Sequence, residues 1–491
     1  MKSIRISYRL TTMASLSFVV VLGVSVALSV LFCISAFGYT DDRTEKGGGN
    51  SENKILKGVT LAGSRQGLSI GFVDIDGDGI DDKIVGAPYA SSSSNTGAVL
   101  VYKGDAMGGF SPSPSMLLAG DDNYGFSFIN LGDVDGDGRE DFAVGAIHGD
   151  GSDVSLSGSV TVYKGGRNWN YDEGHGKVIA KLSGEGPMDK FGLSISAGDL
   201  NDDGQKDLIV GAPFNTNDPA IYQGGAVYIY FAPDFANKVV FHASSVNKGL
   251  GWGTASGDIN GDNIPDLCIS ASGKVLCYYG AINFNPSIDS PDVMIKSASS
   301  GFGKALAVIK DLNSDGFGDI VIGAPNAVVN GNRDTGSIYL VKGGIGLRTV
   351  NADTPSSNLI VRIDGAALFD RFGVSIYPTG DIDGDQKPDF AVGAPMADLD
   401  AFRQLAGKVY LFMGMDISGS TTLADSAVFE GFARDQGYGT SLAVADNTRL
   451  LIGAPRTDSD TGLVSMVDLS TGQSVPGGSS GGSAGAGDEC P

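Results

Sequence analysis

The chain has 491 residues and a formal net charge of −23, and 74 of its residues are Gly, about twice the usual share of roughly 7%. This acidic balance excludes nucleic acid as a partner, because holding phosphates needs clustered Lys and Arg. So much Gly between short β-branched runs implies many strands and tight turns.

In chain order, Lys2, Arg5 and Arg9 precede an apolar run from Leu16 to Phe37. The pattern fits a secretory signal, with Ala36-Phe37-Gly38 as a cleavage site, and the run is also long enough to stay as a membrane anchor. Residues 1–38 are therefore read as a signal peptide or signal anchor. Either puts the remainder outside the cytoplasm, secreted or at the cell surface, and the anchor would attach it to a membrane. Residues 39–54 are polar and Gly-rich, a linker. Residues 55–470 form a repeat array, and 471–491 form a Gly/Ser-rich tail expected to be disordered.

Each repeat starts with an aromatic-Gly element. The copies are Gly67-Leu-Ser69, Gly125-Phe126-Ser127, Phe191-Gly192, Trp252-Gly253, Phe302-Gly303, Phe372-Gly373 and Tyr438-Gly439. An acidic loop follows in the first six repeats. Next comes an apolar run ending in Gly-Ala-Pro or a relative, such as Gly86-Ala87-Pro88 or Gly453-Ala454-Pro455. A third run alternates with period two, as in Ala98–Tyr102 and Lys408–Phe412, and a fourth short run follows, as in Met116–Ala119. Four short strands per repeat, recurring through the array, predict an all-β fold: a seven-bladed β-propeller of four-stranded blades. Val59–Ala62 reads as a fourth strand with no blade before it, and the seventh repeat stops after its third. This N-terminal outer strand is expected to complete blade seven and close the ring.

The acidic loops carry the chemistry. In Asp133-Val-Asp135-Gly-Asp137-Gly138-Arg139-Glu-Asp141, carboxylates stand at positions 1, 3, 5 and 9, Gly at 6, and a carbonyl is free at 7. A hard cation such as Ca²⁺ takes six to eight oxygens, and one tight turn of this spacing supplies them. The other candidate ligand sets are Asp74, Asp76, Asp78, Ile80 and Asp82; Asp199, Asn201, Asp203, Gln205 and Asp207; and Asp258, Asn260, Asp262, Ile264 and Asp266. Two more are Asp311, Asn313, Asp315, Phe317 and Asp319, and Asp381, Asp383, Asp385, Lys387 and Asp389. The position 7 residues Ile80, Arg139, Gln205, Ile264, Phe317 and Lys387 would contribute the backbone carbonyl. Up to six structural Ca²⁺ are expected. An EF-hand is the wrong reading, because it needs Glu at position 12 between helices, and position 12 here is Val or Ile. A metal-free acidic turn is the rival for the fourth and sixth loops, where Asn263 and Gln386 replace the Gly that turns left-handed most easily.

This pattern resembles the FG-GAP repeat family, best known from the β-propellers of integrin alpha subunits, over about Ile55–Leu469. The resemblance implies a seven-bladed propeller with Ca²⁺ held between the first two strands of a blade, and extracellular adhesion or ligand binding on the opposite face. Six metal loops exceed the family's usual number, and no leg domains follow, so heterodimer formation is not carried over.

No enzyme is expected. Gly67-Leu-Ser69-Ile-Gly71 fits Gly-x-Ser-x-Gly but leads into a metal loop, whereas a nucleophile elbow leads into a helix. His148, His175 and His242 sit in separate repeats. On the face away from the metal loops, Tyr89, His148, Phe214, Tyr222 and Phe402 are isolated aromatics among polar residues, suited to a partner. That partner would be an extracellular protein or, in a lectin-like alternative, a glycan; an accessory domain of a secreted hydrolase is the third class. Cys268 and Cys277 flank Ser272-Gly273 symmetrically on one hairpin. A disulfide and two packed thiols both remain open there.

Overall fold

The computed structural model describes residues 61–474, leaving out 62, 92–95, 107, 121, 151–153, 167–176, 217–221, 245–247, 283, 355–358, 415–420, 446–447 and 470–472. The expected leader, linker and most of the tail lie outside the described residues. None of the described helices is long and apolar enough to cross a membrane.

The repeats fold as all-β meanders. Among the described residues, helix is confined to Thr457–Asp460 and a 3₁₀ turn at Leu423–Asp425. Unit three shows the plan: Ser194–Gly198, Asp207–Ala212, Ala226–Tyr230 and Lys238–His242 pair antiparallel in sequence order. Units five, six and seven repeat it. Units one and two merge into one eight-stranded sheet because Gly97 bridges Tyr124 in parallel. Unit four gains a fifth strand, Thr349–Asn351, lent by unit five.

The second strand of each unit is the apolar run of the sequence, and in units two to six all six of its residues are buried, as in Asp141–Ala146. Such a strand has no wet face, so the sheets stack on each other rather than on solvent. Each apolar cluster accordingly draws on two adjacent units. Val160, Phe191, Val210 and Tyr228 join units two and three. Ile70, Phe72 and Leu100 of unit one meet Ala443, Leu451 and Met466 of unit seven. Each buried Val, Leu, Ile or Phe side chain contributes about 1.5–3 kcal/mol.

Polar contacts knit the same joints. Ser69 Oγ donates to the Gly125 carbonyl of the next unit at 2.9 Å, Ser127 to Gly192 at 2.6 Å, Ser194 to Gly251 at 3.0 Å, and Ser375 to Gly439 at 2.7 Å. Ser441 of unit seven donates to Gly67 of unit one at 2.7 Å. The first strands of successive units lie side by side, and that of unit seven lies beside that of unit one.

Two expectations change. The aromatic-Gly element of unit four is Leu250-Gly251, not Trp252-Gly253. Gly251 holds φ 88° and Leu250 bridges Gly225, as the equivalent Phe372 bridges Gly336. Trp252 stands one place later, where unit three has Leu193. The fourth strand of unit seven is Gln473–Ser474, pairing with Leu463–Asp468, because the chain leaving that strand reaches its free edge first. Of the expected N-terminal outer strand only Leu61 is described. It carries no strand pairing and packs on the apolar cluster between units seven and one. Cys268 and Cys277 form a disulfide across the central strands of unit four, both fully buried.

Candidate metal centres and the opposite face

Every acidic loop joins the first strand of its unit to the second, and its geometry repeats. The position 1 carboxylate turns inward and collects backbone N–H groups. Asp74 Oδ1 accepts from Gly77 and Asp78 at 2.9 and 3.1 Å, and its Oδ2 from Gly79 at 2.8 Å. Asp133, Asp199, Asp258, Asp311 and Asp381 accept from their own position 6 N–H in the same way, at 2.7–3.0 Å. The position 5 carboxylate accepts the position 7 N–H in all six loops, from 2.8 to 3.2 Å. Position 6 is left-handed throughout, including Asn263 at φ 68° and Gln386 at φ 71°. The two loops without Gly there make the same turn.

Position 9 lies beneath the loop at the start of the second strand. Asp141, Asp207, Asp266, Asp319 and Asp389 are 0% exposed. One oxygen accepts an N–H from just beyond the third strand, as Gly165 donates to Asp141 at 2.8 Å. In loops two, three, four and six the other accepts the position 2 N–H, as Val134 donates to Asp141 at 2.9 Å. Burial pushes the carboxyls of Asp82, Asp207, Asp266 and Asp319 up to about 7 and that of Asp141 to about 6, and neighbouring loop carboxylates add to the rise. A buried carboxylate surrounded by like charge favours a nearby cation.

Oxygens of Asp74, Asp76 and Asp78 lie within 4.8 Å of one another, as do those of Asp133, Asp135 and Asp141, and those of Asp381, Asp383 and Asp385. In the third, fourth and fifth loops, position 3 is Asn201, Asn260 or Asn313, so a carboxamide stands in the place of one carboxylate. An all-oxygen donor set on a tight turn fits a hard dication such as Ca²⁺. The residues at positions 1, 3, 5 and 9 would hold it, with the carbonyl at 7.

Unit seven lacks the loop and carries its own arrangement. Arg449 occupies the place of the position 9 Asp. Its Nη1 donates to the Gly108 carbonyl of unit one, and its guanidinium stacks 5.5 Å from the Phe110 ring. Asp468 pairs across from Arg449 in the ladder.

On the opposite face the expected aromatics divide. Tyr89 and His148 line one cavity of about 540 Å³ with Pro88, Asp122, Asn123, Leu156 and Met188. Arg65 stacks 4.8 Å from the Tyr89 ring. His148 Nδ1 is 2.5 Å from Asn123 Oδ1, and burial together with the Lys190 ammonium holds its pKa below the usual value. Phe214 is half-buried. It packs edge-on to Trp252 at 5.4 Å under the Lys190 ammonium, and Lys304 covers the Trp252 ring. Tyr222 and Phe402 are exposed, Phe402 at 87%, and neither lines this cavity.

Sequence reasoning missed the residue ahead of each aromatic-Gly pair. Arg65, Asn123, Lys190, Gly249, Gly301, Arg371 and Gly437 all have φ between 52° and 77°. Three glycines in that column were the available signal, since Gly tolerates this region at no steric cost. Leu156 and Met188 are left-handed as well, at 58° and 64°. Bulky residues held in such backbone mark functional sites more often than chance.

The FG-GAP repeat family matches residues 191–230, 302–341 and 372–412, and an FG-GAP-like repeat matches 74–144. Integrin alpha-5 of Xenopus laevis is 28% identical over 278 residues, covering 56% of this chain and 20% of that protein. Integrin alpha-PS2 of Drosophila melanogaster is 26% identical over 293 residues, covering 59% and 16%. A phosphatidylinositol-glycan-specific phospholipase D of Bos taurus is 26% identical over 387 residues, covering 74% and 39%. The chain thus spans about a fifth of these integrin relatives and two fifths of the phospholipase.

Proposed function

The chain is an FG-GAP repeat protein similar to the integrin alpha subunits, and on that premise we propose that it is a calcium-stabilised seven-bladed β-propeller, secreted or held at the cell surface, that binds an extracellular protein. The ring reading rests on the joint between units seven and one, which has the same apolar cluster and serine-to-carbonyl bond as other joints. Residues 55–470 are the propeller in this reading, behind a signal or anchor at 1–38 and a linker at 39–54. The six loops are its calcium sites on one face. The chain works as a binding module, not as an enzyme.

The observation that carries the binding role is the cavity lined by loops of units one, two and three. It presents exposed Tyr89, Leu156 and Met188 around His148 and Asn123. Apolar anchors in a concave site with few polar groups suit a protruding side chain of a protein partner. The test is binding of the whole chain to immobilised extracellular matrix proteins, beside a glycan array. Calcium-dependent capture by a matrix protein, reduced at least tenfold in the Tyr89→Ser/Met188→Ser double variant, is the expected result. Capture by glycans alone would replace the protein ligand with a sugar. The phospholipase match, which covers more of this chain than either integrin match given above, favours a second reading as an accessory domain of a secreted hydrolase. Binding of the purified chain to a secreted hydrolase, with a change in that hydrolase's activity, would support it over the first.

A further inference from the structure

Two of the acidic loops hold a cation supplied by the protein itself. Lys103 follows the third strand of unit one, and its Nζ contacts Asp76 Oδ2 and lies 3.2 Å from Asp78 Oδ2. Lys164 holds the same place in unit two, where its Nζ contacts Asp135 and lies 3.1 Å from Asp137. In each loop these are the carboxylates at positions 3 and 5, two of the four side chains that would hold the dication.

In units one to four, charge at this place follows charge in the loop. Loops one and two have Asp at position 3, giving four carboxylates, and both face a Lys. Units three and four have Asn201 and Asn260 at position 3, and their corresponding residues are the neutral Phe231 and Tyr279. Unit five also has Asn at position 3, and its Lys342 makes no ion pair among the described residues. Loop six has four carboxylates and faces Met413. In unit seven the signs are reversed, with Arg449 on the second strand across from Asp468 on the third.

We propose that Lys103 and Lys164 are tethered counter-cations that compete with calcium for the first two loops, making these the weak sites of the molecule and loop six the tight one. The inference rests on the reading of the loops as calcium sites. An ammonium and a dication cannot both sit against the same pair of oxygens, since like charges at this range repel strongly. Calcium must therefore displace the lysine. The Lys103 side chain is 48% exposed, so it can swing into water when displaced. Loop two carries a second cation on the same oxygen, with Arg139 Nη1 3.1 Å from Asp137 Oδ2, so it is the weaker of the two.

The experiment is calcium titration of the full chain by calorimetry, in wild type, Lys103→Met/Lys164→Met and Lys342→Met. The double variant is expected to tighten two sites by at least fivefold, and Lys342→Met to change nothing. Unchanged or weaker binding in the double variant would overturn the competition, the latter showing that the lysines support the loops from outside. Lack of calcium uptake in every variant would remove the metal reading itself. Acetylation of the surface lysines, read by mass spectrometry, gives a second readout. Lys103 and Lys164 should react slowly in chelator and faster in calcium, and the reverse order would contradict the proposal.

Discussion

Single atoms decide where this chain tolerates change. The Gly of each Gly-Ala-Pro element is there because the next unit comes too close for a side chain. A Cβ on Gly453 would stand 2.1 Å from the Gly67 carbonyl oxygen and 2.2 Å from Ser441 Oγ. Gly453→Ala should therefore cost about 2–3 kcal/mol, in the upper range for overpacking, as read from urea melts. Gln386 shows the opposite case, a side chain in left-handed backbone that costs an L-residue about 1–2 kcal/mol. Gln386→Gly should stabilise by about 1 kcal/mol, with the gain visible in calcium and in chelator alike.

Lys83 is the residue-scale anomaly. It is 1% exposed where unit two has Phe142, and burial lowers its pKa from 10.5 to about 8. That shift corresponds to roughly 3 kcal/mol against the charged form. The Tyr102 and Phe110 rings, 4.3 and 5.2 Å from Nζ, return about 1–2 kcal/mol. Between pH 8 and 10.5 the unfolded chain binds the proton that the folded chain has lost, so this group's contribution to stability rises with pH across that window. Lys83→Met should raise stability by about 1–2 kcal/mol at pH 7, and the gain should shrink towards pH 10. A gain independent of pH would show that packing, not charge, is responsible.

At the scale of elements, the third strands were legible because alternating β-branched and aromatic residues leave no other reading, and Lys408–Phe412 falls where that alternation puts it. The acidic turns were legible because their spacing is itself the geometry. The start of unit four was not, because Leu250-Gly251-Trp252-Gly253 offers two overlapping glycines and only the neighbour's carbonyl selects between them. The aromatics of the opposite face were read singly. That Phe214 packs on Trp252 depends on loops from three units, and no local pattern records that. Unit seven gives an element-scale prediction. Its Arg449 ties to unit one without a metal, so Arg449→Met should lower the melting temperature equally in calcium and in chelator. A loss seen only in calcium would contradict that.

For the whole molecule, six acidic turns and the apolar joints between sheets act together. Extracellular modules bind calcium with Kd of roughly 0.1–1 mM. At about 2 mM calcium each occupied site would contribute ~0.6–1.8 kcal/mol, and six could supply ~4–11 kcal/mol, comparable to the net stability of a domain. The most direct measurement is the thermal unfolding of the whole chain in 2 mM calcium and in EDTA. A melting temperature lower by about 10 °C or more in EDTA and restored by added calcium is the predicted result. The same temperature in both buffers would contradict the claim that metal holds these sheets together.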